Sequence, residues 1–332
     1  MSTLSSSINR RQFIIGATVA AGAAKAVAKP VPKAATDLGK AVGELPPGRY
    51  DAHTHVYLAS RPKGEVRPDA LWKVFSEGRL TGGCVFSEDP NRFYWKTRTP
   101  ETEHNAERAI DNVIKWCSKS PTLYPFYWID PWDPRALEYV DLAVSKGIYG
   151  FKVISSRGYP CDDTTMKVYR RIAEANRPLT FHSGILWDGQ ATSEFFRPVF
   201  FEKLMNVPRL RFCLAHVSWP WIDECIATYG KLYAAAHWGY RSDPIGEMFI
   251  DTTRGTPEIY RREALTKLYT VGYDFNEHLM FGTDMFFNGA TAEQPIGHMT
   301  RDDAIFDELK LDEAKRDSYY RKALQRFLFG GT

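Results

Sequence analysis

Asp51, His53 and His55 stand two residues apart in Tyr50-Asp51-Ala52-His53-Thr54-His55-Val56. On a β-strand that spacing turns all three side chains to one face, at a rise of about 3.3 Å per residue. Two neutral imidazoles on one face can hold a single divalent cation, because imidazole nitrogen is the commonest protein ligand for such ions. The alternative is a pair of histidines near a strand end with no ion between them. Asp51 reads either as a group that holds the two histidines in orientation or as a buried acid satisfied by backbone groups. Lys152, His182, His216 and Asp284 add further nitrogen and carboxylate groups of the kinds that do acid–base and ligand chemistry.

Residues so far apart need a scaffold that returns the chain repeatedly to one place. From Arg49 onward, short apolar runs alternate with helical patterns. The strand candidates are eight: 49–54, 83–87, 124–129, 149–154, 179–183, 210–215, 248–252 and 279–283. Several are almost continuously apolar, as parallel strands buried on both faces are. Between them, Ala106, Ala109, Ile110, Val113, Ile114 and Cys117 follow the i, i+3, i+4, i+7 spacing of an amphipathic helix. Asp133-Pro134 reads as N-cap and first helical residue, with Gly147 as the stop. Phe200, Phe201 and Leu204 mark a later helix, and the last runs from an Asp312 cap to Gly330.

Eight strands alternating with helices predict an α/β chain folded as one (β/α)8 TIM barrel over residues 48–332. An open doubly wound sheet is the second choice, weakened because no Gly-rich phosphate loop follows the first strand. The stretch 286–300, with Asn288, Gly289 and Pro295, reads as a long irregular insertion forming a lid or pocket wall. In a barrel the chemistry gathers at the C-terminal ends of the strands. His53 and His55 close the first strand, Lys152 lies in the fourth, His182 closes the fifth, His216 the sixth and Asp284 the eighth.

In that order, Asp-x-His-x-His, His-x-Gly (182–184), Ala-His (215–216) and Phe-Gly-Thr-Asp (281–284) resemble the motifs of the amidohydrolase superfamily. The closer resemblance is to its amidohydrolase-related branch of metal-dependent hydrolases, which includes aminocarboxymuconate-semialdehyde decarboxylase. It covers about residue 49 to the C-terminus. It implies that His53, His55, His182 and Asp284 bind a divalent metal, most often zinc. His216 would bind a second ion or activate the water. In two-metal members a lysine placed like Lys152 bridges the ions as a carbamate, while one-metal members lack that bridge, so the resemblance implies one or two ions. Lys152 read without the resemblance is a plain cation paired with an acid inside the barrel. A zinc ion with open positions lowers the pKa of bound water to about 7 and polarises a carbonyl, and a carboxylate such as Asp284 can take the proton. The expected activity is cleavage of an amide, ester or lactone. Non-oxidative decarboxylation of an unsaturated or aromatic acid is the alternative, and a non-catalytic metal- or solute-binding protein the third reading. Arg157, Trp187, Trp219 and Arg254, on loops after the strands, are the candidate substrate contacts and suit a small ring-bearing carboxylate or a sugar-derived lactone.

The N-terminus carries a different message. Asn9-Arg10-Arg11-Gln12-Phe13-Ile14-Ile15 opens an apolar run too short to span a membrane, and Ala26-Val27-Ala28 fits a cleavage site. The paired arginines resemble a twin-arginine export signal, which implies the twin-arginine machinery as partner and a periplasmic or secreted destination. Residues 1–28 read as signal peptide and 29–47 as a Pro-, Ala- and Lys-rich linker. Of 43 basic residues, Arg10, Arg11 and Lys25 leave with the signal, so 40 remain against 40 acidic ones. Near neutrality without a basic block argues against nucleic acid as a partner. The five cysteines are odd in number and lack a CxxC pair, so they make no disulfide framework. A homo-oligomer is left open.

Overall fold

The computed structural model describes residues 43–56, 66–90, 105–254 and 256–331. The signal-peptide reading of 1–28 and most of the linker lie outside the described residues.

In chain order the principal elements are β1 (Tyr50–His55), α1 (Pro68–Glu77), β2 (Gly82–Phe86), α2 (Ala106–Trp116), β3 (Leu123–Trp128), α3 (Ala136–Ser145), β4 (Gly150–Val153), α4 (Asp163–Glu174) and β5 (Leu179–Phe181). There follow β6 (Arg211–Leu214), α5 (Ile222–His237), β7 (Glu247–Asp251), α6 (Glu258–Thr270), β8 (Leu279–Met280), β9 (Met285–Phe286) and α7 (Glu293–Glu308). The C-terminal elements are α8 (Glu313–Asp317), a π-helical turn (Ser318–Lys322) and α9 (Ala323–Phe329). All strand pairs are parallel, and the sheet runs in the order β8-β7-β6-β5-β4-β3-β2-β1-β9.

β8 and β9 are the two ends of one strand, interrupted at 281–284, so this sheet closes on itself. β7 pairs with β8 through Asp251 and Met280, and β1 pairs with β9 through His55 and Phe286. Between those ends Ala52 N–H donates to the Phe281 carbonyl and Asp284 N–H to the His53 carbonyl, both at 2.9 Å. The expected single-domain barrel is therefore the observed one. Its eighth strand is broken where 281–284 leave the ladder to present Asp284.

The helices bury the predicted faces. In α2, Ala106, Ala109, Ile110 and Val113 are buried, and the Asn105 side chain caps the first turn by accepting from Arg108 N–H. Asp312 caps α8 by accepting from Lys315 N–H, and the last helix stops at Gly330. Three local expectations are corrected. Asp133 accepts from Arg135 N–H at 2.7 Å in a turn, and the helix itself begins at Ala136. Phe200, Phe201 and Leu204 lie in a 3-10 helix, Pro198–Asn206.

The third correction concerns 286–300, which is no irregular insertion. Phe286 ends β9, and Glu293–Glu308 is a regular helix whose Pro295, Met299, Asp302, Ile305 and Phe306 face inward. Proline is compatible with a first turn, where its missing N–H has no helical partner. The inward residues keep the helical period despite Pro295 and Gly297.

α7 is tied to the barrel through Asp302. Arg261 of α6 makes a bidentate pair with that carboxylate, both contacts at 2.6 Å, and both side chains are buried. Arg261 also donates to the Thr252 carbonyl at the end of β7, and Tyr319 donates to Asp302 at 2.7 Å. Removing one partner of a buried pair leaves an uncompensated charge and typically costs about 3–5 kcal/mol. Asp302→Ala is expected to lose stability of that order in a denaturant titration.

Candidate metal centre

Each candidate side chain is delivered by its strand. His53 and His55 project to the same side of β1, and their Nε2 atoms stand 3.2 Å apart. Asp284 Oδ1 lies 3.5 Å from His53 Nε2 and 3.3 Å from His55 Nε2. These three ligand atoms all lie within 4.8 Å of one another. Nitrogens bound to one tetrahedral zinc at about 2.0–2.1 Å sit roughly 3.3–3.4 Å apart, so the spacing suits a shared ion.

Hydrogen-bond partners set the tautomers. His53 Nδ1 lies 3.0 Å from Asp251 Oδ2 and donates to it, so the lone pair on Nε2 faces the Asp284 oxygen. Two acceptors facing each other call for a cation between them. Asp251 Oδ1 accepts from His216 N–H at 2.9 Å and from the Thr253 hydroxyl at 2.6 Å. With its hydrogen committed, Thr253 Oγ1 accepts from His216 Nδ1 at 2.5 Å. His216 Nε2 then accepts from His182 Nδ1 at 3.1 Å, which leaves His182 Nε2 buried, without a partner. His55 Nδ1 is likewise buried and unpartnered. The donor set therefore fits a divalent ion: His53, His55 and Asp284 converge, and His182 offers a bare nitrogen in the same pocket.

All six residues expected to handle the metal line this one cavity. They divide by contact. Both nitrogens of His216 are engaged, so this residue orients His182. Lys152 Nζ sits 3.3 Å from His53 Nε2. Trp187 and Trp219 also line the cavity with Trp128, Leu186 and Phe286, and the Phe286 ring stacks on His55 at 4.7 Å. The two candidate arginines do not join them. Arg157 is half-exposed and paired with Asp130 at 2.7 Å. Arg254 lines a separate crevice with Arg261, His298 and Arg301.

Asp51 combines its two readings. It is fully buried and accepts from His53 N–H, the Thr54 hydroxyl, Thr283 N–H and the Thr283 hydroxyl. It thereby holds the histidine strand against the segment that carries Asp284. Gly282 permits that approach, since a Cβ there would come within 2.4 Å of Thr253 Cγ2 and 3.2 Å of His53 Cβ. In the His-x-Gly motif, Gly184 has φ +101° and a Cβ would meet the Trp219 carbonyl at 2.4 Å. His216, Val217 and Ser218 follow one another at φ 65°, 47° and 54°. That left-handed turn is disfavoured for a β-branched residue, the kind of strain that gathers at functional sites.

Electrostatics keep the donors ready. Burial, with the Lys152 charge, lowers His53 to about 4 against the pull of Asp251. Burial also lowers His216 to about 4, and His55 and His182 in the same direction. For Asp284 burial acts upward, but the His55 hydrogen bond and the neighbouring histidines hold it well below the carboxylate range. Burial raises Asp51 to about 6 despite its four donors, and lowers Lys152 to about 8 against Asp251 and Asp284.

Asp251 and Thr253 were not among the sequence candidates. The signal was there in Ile250-Asp251-Thr252-Thr253, which closes the seventh strand with polar residues as the other strands are closed.

The barrel and a His53–His55–Asp284 cluster that could hold a metal ion are the features that the comparison with known families meets. The amidohydrolase family model matches residues 50–328, and the chain belongs to that family. A probable 2-pyrone-4,6-dicarboxylic acid hydrolase from Acinetobacter baumannii is 12% identical, covers 86% of this chain and 100% of its own, and superimposes with a TM-score of 0.54. The 2,6-dihydroxybenzoate decarboxylase from Rhizobium is 15% identical, covers 85% and 98%, and gives 0.56. At such identities both show a shared fold and nothing finer. No relative was found among the curated proteins. No helix among the described residues is long and apolar enough to cross a membrane.

Two outcomes follow. Asp251→Asn should weaken metal binding about 10- to 100-fold, as loss of a ligand's orienting partner does, read by competition with a chromogenic chelator. His53 and His216 have folded pKa values of about 4 against 6.5. Between those values the unfolded chain binds more protons, so stability falls as pH drops from about 6.5 towards 4. Metal-free protein should show its melting temperature decreasing across that window.

Proposed function

We propose that the protein is an exported, zinc-dependent hydrolase that cleaves the ester, lactone or amide bond of a small ring-bearing substrate. The convergence of His53 Nε2, His55 Nε2 and Asp284 Oδ1 carries this reading. A bound divalent ion supplies Lewis acidity towards the scissile carbonyl and towards water. His53 and His55 would hold it with Asp284, and His182 would complete the set. Asp284 is anionic and, at 21% side-chain exposure, the least buried of the candidate ligands. It can accept a proton from water and return it to the leaving group. Asp251 keeps His53 in the tautomer whose lone pair faces inward. Trp128, Trp219 and Phe286 line the cavity, keep bulk water away from the reacting atoms and offer flat faces to a ring. Export rests on Arg10-Arg11 and the apolar run after them.

The test is turnover of aryl lactones, aryl esters and ring-bearing carboxylic acids, followed in parallel by acid release and by carbon dioxide evolution. Acid release from a lactone or ester is expected, lost on chelation and restored by zinc. Asp284→Asn should lower it about 10²- to 10⁴-fold, the usual contribution of a positioned base. Carbon dioxide evolution without hydrolysis would instead establish the decarboxylase reading.

A further inference from the structure

Lys152 is the buried cation that the hydrolytic reading leaves unused. Its side chain is 1% exposed, enters the barrel from β4 and lines the metal cavity. The other buried cations have evident partners. Arg261 is held by Asp302, and Arg211 donates to the Phe327 and Leu328 carbonyls and to Asn176. Among the described residues no carboxylate oxygen lies within 4.0 Å of Lys152 Nζ. Its neighbours are His53 Nε2 at 3.3 Å and the Phe86 ring, whose centroid is 5.2 Å away.

Taking an ammonium out of water without an anion is strongly unfavourable. A structural cation would have an acid in contact with it. Among the described residues the acids nearest in effect, Asp251 and Asp284, act on Lys152 from beyond ion-pair distance and are themselves engaged by the histidines. A carbamate bridge between two ions fits poorly, because both nitrogens of His216, which a second ion would need, are engaged by Thr253 and His182. The missing partner is then one that arrives with the substrate. Neither candidate arginine lines this cavity, and among the described residues Lys152 is the sole Lys or Arg that does.

We propose that Lys152 is a specificity-determining residue that binds a carboxylate of the substrate, so that the site selects ring-bearing monocarboxylates over their neutral analogues. The proposal deepens the hydrolase reading and shares its cavity, but it can fail separately. The aromatic wall receives the ring, Lys152 Nζ pairs with the carboxylate, and the bond to be cleaved lies towards Asp284. Lys152 is retained at the expense of stability, as functional groups in low-dielectric sites often are.

Benzoate and benzamide are the probes, identical in shape and different in charge. Their binding to metal-loaded protein is followed by tryptophan fluorescence, since Trp128 and Trp219 line the cavity. Wild type is expected to prefer benzoate by about tenfold or more, as loss of a desolvated charge pair implies. Lys152→Met at equal metal content should lose that preference while still binding benzamide. Its ligand-free melting temperature should rise by several degrees, because an unpaired buried charge is replaced by an apolar chain of similar length. A purely structural lysine would give a fall instead. Lys152→Gln repeats the comparison should the methionine variant fold poorly. An unchanged preference in these variants, or a carboxyl adduct on Lys152 in native mass spectrometry, would overturn the proposal. Binding needs no turnover. A charge preference without hydrolysis would defeat the proposed reaction alone, and hydrolysis without the preference would defeat the anchor alone.

Discussion

A carboxylate buried away from water needs donors for its oxygens, and at Asp251 those donors come from different parts of the barrel. His53 arrives from β1, the His216 amide from the end of β6, and Thr253 from the loop after β7. Satisfying one acid therefore fixes three strand ends at once. The same acid sets the proton position on His53 and, through Thr253, on His216. Asp51 does the corresponding work on the other side, holding β1 to Thr283 and so to Asp284. If either acid lost its donors, the histidine and carboxylate lone pairs would no longer face one another.

The cavity so formed crowds acceptors and charge together. Neutral histidines with inward lone pairs, an anionic Asp284 and a lone ammonium are unfavourable together unless something enters among them. A metal ion would answer the acceptors, and in the proposed reading a substrate anion would answer Lys152. Stability is thus placed elsewhere, in the parallel ladder, in the apolar layer between strands and helices, and in the Arg261–Asp302 clamp that braces the end of β7. Membership of the amidohydrolase family accounts for the scaffold, while the substrate depends on the few side chains lining the mouth.

Much of the scaffold was legible in the chain. Apolar runs marked each strand to within a few residues because strands buried on both faces must be apolar almost throughout. Helices were legible where their buried face kept the 3.6-residue period, as in α2. The segment 286–300 was misjudged because Asn288, Gly289 and Pro295 are turn formers by propensity, whereas a first turn tolerates proline and packing against the barrel supplies the rest. Arg157 and Arg254 follow strands as true pocket residues do, but Arg157 is paired with Asp130 outside the cavity lining and Arg254 lies in the crevice with Arg261 and His298.

By itself the sequence determined what is periodic or local. It established the alternation of strand and helix, the shared face of Asp51, His53 and His55, and the placing of Lys152, His182, His216 and Asp284 at one end of a barrel. Only the tertiary structure decided which atoms meet. His53 and Asp251 are 198 residues apart, and no spacing along the chain encodes which imidazole nitrogen turns to which carboxylate. That depends on the offsets between strands that are distant in sequence. The same long-range geometry left Lys152 out of ion-pair reach of every described carboxylate and gave Asp251, a plain strand-end residue by sequence, its place at the centre of the site.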